Sequence, residues 1–229
     1  MPIPIPGSIQ DGLLTFEAEG NEGGRYHSRR LHVPDERSGI TIGRGYDLKS
    51  KDPSQIFRDL TSVGIDSTQA QVLSRGVRLA GSAARNFIRE NHLTDFELTP
   101  QQQLDLFKIT YTHEKNEARR LCIKDDVTAE YRAACKWDEL HPAIRVILVD
   151  LKFRGDYTPF TRIAIQTAVA NNDLEGFYEA MSDWDYWQNR AQRTNPSGTV
   201  TSSSRVRVPR ERFEMRRRYL EKQVMEQQH

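Results

Sequence analysis

The chain lacks any apolar run long enough to cross a bilayer. Charged residues make up 28% of it, and no run approaches the about 20 apolar residues that a spanning helix needs. Membrane insertion is therefore not expected. Cysteine is nearly absent: Cys122 and Cys135 are too few for a disulfide framework and lack metal-ligand spacing, so they read as buried free thiols. An excess of one charge is missing as well, with 33 Lys and Arg against 32 Asp and Glu. That balance, with no recognised motif, argues against a nucleic-acid-binding module. The N-terminal Met1-Pro2-Ile3-Pro4-Ile5-Pro6-Gly7 has neither a basic n-region nor an apolar h-region, so no secretory signal is expected and synthesis is placed in the cytoplasm. His113-Glu114 matches the first half of a zinc-protease signature, but position 117 is Glu where the second His would stand. No metal is expected.

What is present centres on residues 16–47. Ser8-Ile9-Gln10-Asp11 has the form of a capping box, and Ile9, Leu13 and Phe16 fall on one helical face that Gly20 should end. Glu19 then lies in the last turn, where the helix dipole disfavours the ionised carboxylate and favours a proton donor. Glu17 and Glu22 are its rivals by proximity. Pro34-Asp35-Glu36-Arg37-Ser38-Gly39 carries strong turn chemistry and sets Asp35 on the turn, sixteen residues after Glu19. In the strand that follows, Ile40 and Ile42 point to one side, while Gly39, Thr41 and Gly43 make a nearly bare face with one hydroxyl. A bare face lets a ligand or a water approach the backbone. Two acids flanking such a surface are what glycoside hydrolysis requires: one protonates the leaving oxygen, and the other attacks the sugar or activates a water.

Glu19-Gly20, Asp35 and Gly39-Ile40-Thr41-Ile42-Gly43-Arg44-Gly45 together resemble the Glu-Gly, Asp and Thr-Ile-Gly-x-Gly pattern of phage-type lysozymes. The ending Gly43-Arg44-Gly45-Tyr46-Asp47 is more similar to the pesticin-like toxin branch, which includes muramidase domains of type VI secretion spike proteins. The match covers about thirty residues. It implies Glu19 as general acid, Asp35 as general base and Thr41 as the group that helps Asp35 hold the attacking water. It also implies a predominantly α (α+β lysozyme-like) fold, in which a small β hairpin faces a catalytic cleft. The substrate implied is peptidoglycan, cut by inversion at the β-1,4 link between N-acetylmuramic acid and N-acetylglucosamine. Two-carboxylate chemistry needs no cofactor. Tyr46 departs from the His common in phage members, and the segment between Glu19 and Asp35 is longer than theirs.

The remaining residues read as a helical body. We expect one domain over 1–229 in two lobes, a catalytic hairpin lobe at about 8–65 and a helical lobe at about 66–229. Asp52-Pro53 should cap a helix that ends at Gly64, and Thr99-Pro100 should open a long one. Pro142 to Arg154 is apolar on most sides and reads as the buried central helix. The turn after Arg154 is expected to border the cleft. Trp184, Tyr186 and Trp187 read as core more than as sugar-stacking aromatics. Thr194 to Ser204 reads as a mobile Ser/Thr-rich loop. Between Arg205 and Lys222 there are eight Lys or Arg against three Glu, expected as a solvated basic face suited to an anionic wall. The resemblance offers a second role there, Arg212 pairing with the catalytic glutamate.

The expected protein is thus a monomeric wall-cleaving toxin acting on peptidoglycan glycan strands in a target cell's periplasm. Delivery by a secretion-machine carrier or by lysis, and a cognate immunity protein, follow from the toxin resemblance. A phage endolysin and a non-catalytic wall-binding protein are the alternatives.

Overall fold

The structure, a computed structural model, describes residue 9 and residues 11–23, 27–131, 134–188, 190–194, 200–205 and 207–228. The chain divides into two compact units, Met1–Thr112 and His113–His229. It is predominantly α-helical with small antiparallel sheets, as the sequence predicts.

The first unit contains α1 (Leu13–Ala18), β1 (Thr41–Ile42), β2 (Tyr46–Asp47), α2 (Pro53–Ser62), α3 (Ser67–Ser74), α4 (Gly81–Glu90) and the start of α5 (Pro100–Cys122). Ile40 and Ile42 are fully buried and share one apolar cluster with Ile56 and Leu60 of α2, Leu73 of α3 and Ile88 of α4. That shared core is why this unit runs well past residue 65. Asp52 accepts the Ser54 N–H at 2.8 Å with Pro53 in the first helical turn, which starts α2 where the sequence places it.

Two expectations fail here. No capping box opens α1: the N-cap is Gly12, in the left-handed region at φ +89°, and the helix begins at Leu13. A side chain at Gly12 would strike the Tyr111 ring at 2.7 Å, so close packing of the α5 tyrosine decides the residue. The buried face is Leu14, Thr15 and Phe16, with Leu13 exposed, and Ile9 lies outside the helix; Ser8 and Gln10 fall outside the described residues. The bare strand face is also not open. Gly39 and Gly43 are buried, and a side chain at Gly39 would meet Lys49 Cβ at 2.4 Å. Glycine here admits Lys49 and Asp47, leaving Thr41 as the partly exposed position.

The second unit contains α6 (Asp125–Tyr131), a 3-10 turn at Trp137–Glu139, α7 (Pro142–Arg154), α8 (Pro159–Ala170), α9 (Leu174–Ser182), α10 (Trp184–Gln188), β3 (Arg190–Thr194), β4 (Val200–Arg205) and α11 (Arg210–Gln227). The bounds of α7 are the expected ones: Ile144, Ile147, Leu148 and Leu151 are fully buried, and Gly155 at φ +83° ends the helix. Of the aromatic cluster, Trp187 is fully buried, as the core reading expects, while Trp184 and Tyr186 are partly exposed.

Three corrections fall in this unit. Cys122 and Cys135 are not free thiols but a disulfide, their Cα atoms brought within 6.1 Å. The segment taken for a mobile loop supplies β4, which pairs antiparallel with β3 from Arg190↔Arg205 to Thr194↔Val200. Its Ser/Thr composition hid the strand, because backbone pairing needs no apolar alternation; residues 195–199 lie outside the described residues. The basic face of α11 is neither uniformly solvated nor unneutralised. Arg212 and Arg216 are buried, and Arg210, Arg217 and Lys222 pair with Glu214, Glu221 and Glu226.

Candidate active site

Glu19 is the residue at which α1 stops. It is the C-cap, its N–H donating to the Thr15 carbonyl at 3.0 Å, and it is half-buried. A six-residue helix is too short to hold its own end, and the orphan carbonyls of its last turn need donors. Arg44, from the turn between β1 and β2, provides them. Its Nη1 donates to Phe16 O at 2.6 Å and to Gly20 O at 3.1 Å, its Nη2 donates to Glu22 Oε1 at 3.1 Å, and its guanidinium lies 4.0 Å above the Phe16 ring. A side chain at Gly20 would come within 2.9 Å of Arg44, so the glycine after Glu19 is the space Arg44 fills. Burial pushes the Arg44 guanidinium below its ordinary pKa, and the field of Glu22, Glu17 and Glu19 opposes that shift. Arg44 thus braces the backbone on either side of Glu19.

Asp35 stands exposed on its turn. Its Oδ1 accepts the N–H of Arg37 at 2.7 Å and of Ser38 at 2.8 Å. The Arg37 backbone bond first, then the Ser38 bonds, hold its carboxyl below the usual aspartate value despite a small opposing effect of desolvation. Both backbone bonds fall on Oδ1. The turn is tied down on both sides: Lys49 Nζ donates to Arg37 O at 2.6 Å, the Gly81 N–H donates to Ser38 O at 3.1 Å, and Glu36 pairs with Arg85 of α4.

Thr41 opens β1. Its N–H donates to His32 O at 2.8 Å and the His32 N–H returns a bond to Thr41 O at 3.0 Å, so residues 32 and 41 close a loop whose tip is the Asp35 turn. Its hydroxyl has no hydrogen-bond partner among the described residues and is partly exposed. Three residues further on comes Arg44, in a turn made possible by Gly43 at φ +63° and Gly45 at φ +84°. Glu19, Asp35 and Thr41 are thus carried on one hydrogen-bonded framework in the first unit. It offers a carboxyl group at a helix end, a carboxylate held ionised, and an unengaged hydroxyl.

Tyr46 is buried, donating its hydroxyl to Asp59 Oδ2 at 2.8 Å, and desolvation raises its pKa far above the ordinary phenol value. It braces the hairpin from beneath and presents no surface to a substrate. Arg154 pairs with Asp156 at 2.5 Å and donates to Arg207 O at 3.3 Å. Arg212 grips the fully buried Asp150 through both carboxylate oxygens, with Arg216 Nε at 2.7 Å from Asp150 Oδ2 and Arg216 Nη1 at 3.0 Å from Asp156. Burial alone would raise the Asp150 pKa; Arg216 and Arg212 more than reverse it and hold the carboxyl low.

The sequence reading singled out neither the brace Arg44 nor Asp150. Arg44 bonds residues 22 to 28 positions away, which no local pattern signals. Asp150 had a signal, a lone carboxylate inside an apolar helix, which must be paired if buried. Among the described residues no group of three His, Cys, Asp or Glu could hold a metal ion, and Glu114 of the half-signature pairs instead with Lys152 at 2.6 Å. A family model described as a domain of unknown function (DUF8812) matches residues 12–217. No curated protein matches the chain.

Proposed function

Because the chain belongs to this family of unknown function, its activity is argued from its site, and we propose a lysozyme: a glycoside hydrolase that cuts the β-1,4 bond between N-acetylmuramic acid and N-acetylglucosamine. The carrying observation is the contrast between the two acids. Asp35 is exposed and held ionised, whereas Glu19 is half-buried at a helix C-terminus whose backbone Arg44 braces on either side of it. In this reading Glu19 gives its proton to the glycosidic oxygen as the bond to the anomeric carbon breaks. A water, oriented by the Thr41 hydroxyl, loses its proton to Asp35 and attacks that carbon from the opposite face, inverting the anomer. The Gly43-Arg44-Gly45-Tyr46-Asp47 segment, similar to the toxin branch, supports an antibacterial role. Clearing of purified peptidoglycan by the wild-type protein, lost on Glu19→Gln and on Asp35→Asn, tests the reading; clearing by both variants at the wild-type rate refutes the assignment.

A further inference from the structure

A cavity of about 420 Å³ opens beside the Asp35 turn, within the first unit. One wall is the segment Leu31-His32-Val33, which leads directly into Pro34-Asp35; the other is α4, contributing Ser82, Arg85, Ile88 and Arg89. Its size falls within the range of small-molecule and short-peptide sites. Its floor is apolar, with Leu31 and Val33 packed against the core and Ile88 buried. Its rim carries two guanidiniums at i and i+4 on one helix face. Arg89 is satisfied by the neutral Asn86 side chain and has no carboxylate partner among the described residues. Arg85 is paired with Glu36, whose side chain is 75% exposed. Such a pair is worth little, so a ligand carboxylate can replace Glu36 at small cost. Apolar walls with two cations at the mouth select an anionic ligand with an apolar or peptide body, and planar guanidiniums match carboxylates in particular.

We infer that this cavity binds the carboxylate-bearing peptide attached to the muramic acid residue being cleaved. The inference rests on the lysozyme reading for its choice of peptide. The link to catalysis is covalent and short: Glu36, the residue Arg85 holds, is next to Asp35, and the Gly81 N–H at the start of α4 bonds Ser38 of the same turn. Exchange of Glu36 for a ligand carboxylate on Arg85 would report directly to the general base.

The test compares peptide-bearing glycan strands with strands stripped of their peptides, and separately titrates a free stem tripeptide into the isotopically labelled full chain. The expected KM is about tenfold lower for peptide-bearing strands, the scale of one charge-assisted contact. The tripeptide should shift the amide signals of residues 31–33 and 81–90, and Arg89→Glu should weaken its binding about tenfold or more while leaving the thermal midpoint unchanged. Equal KM on both strands, with no shifts in those segments, overturns the inference and leaves the lysozyme reading intact. Failure to cleave either strand overturns the lysozyme reading instead, and the tripeptide titration then decides the cavity by itself.

Discussion

At the level of single residues, Asp35 is in a place where proton chemistry and hydrogen bonding point the same way. Hydrogen bonds from the Arg37 backbone and from the side chain and backbone of Ser38 keep its pKa below the ordinary 3.8, so the base form persists into acid. If Asp35 is the base, the acid limb of kcat/KM, which reports the free enzyme, should lie below pH 3.8, with circular dichroism confirming that the fold survives there. A limb in the range of pH 5 to 6 assigns the base elsewhere. Glu19→Gln and Asp35→Asn should each cost roughly 10²-fold or more in turnover, since both preserve shape and remove only proton transfer. Loss of activity on Glu17→Gln or Glu22→Gln, with Glu19→Gln unaffected, would move the acid. Thr41→Ala should lower kcat with little change in KM, because its hydroxyl is asked to orient the water only in the transition state. NMR of the first-formed reducing end should show the inverted anomer, and a retained anomer would make Asp35 a nucleophile. The turn that carries Asp35 and the strand that Thr41 opens are legible because proline, glycine and Asx-turn residues punctuate the chain around them. Arg44 is not, since its value lies in a brace to a distant helix end, and the partner of Arg212 is Asp150, 62 residues away in sequence, which no local pattern signals.

Among the elements, α7 is readable to the residue, and α2 at its start, its end falling at Ser62 just before the expected stop at Gly64. α1 is not, because its entry is set by the tertiary approach of Tyr111 to Gly12. The β3–β4 hairpin was missed for want of apolar alternation, and the disulfide because two cysteines give no pattern. The chain between Cys122 and Cys135 contains α6, and cross-linking residues 13 apart removes freedom from the unfolded chain. Replacing both cysteines by serine should lower stability by about 2–4 kcal/mol; an unchanged unfolding midpoint with and without reductant would deny the bond a stabilising role. Asp150 joins α7 to α11. Asp150→Asn removes the carboxylate that the buried Arg212 and Arg216 share, leaving Arg216 its pair with Asp156, and should cost about 3–5 kcal/mol in denaturant unfolding. Its folded pKa is depressed, so the stability it contributes is complete above the ordinary aspartate value of 3.8 and is withdrawn as pH falls through the lower folded value.

For the whole molecule, charge is near neutral and Arg217 and Lys222 of α11 are paired, so on the proposed reading affinity for the wall has to come from the site. Among the described residues no helix is long and apolar enough to cross a membrane. On the proposed lysozyme reading, the place of action follows from the substrate. Expression with an added secretory signal should be lethal to a Gram-negative host, and expression without one tolerated; equal toxicity in both compartments would point to a cytoplasmic target. The central claim is tested most directly by digesting purified peptidoglycan, reducing the products with borohydride and identifying the new ends by mass analysis. The account predicts reduced N-acetylmuramic acid ends with the wild-type chain and none with Asp35→Asn. Ends on N-acetylglucosamine, or release of peptides with the glycan uncut, would contradict it.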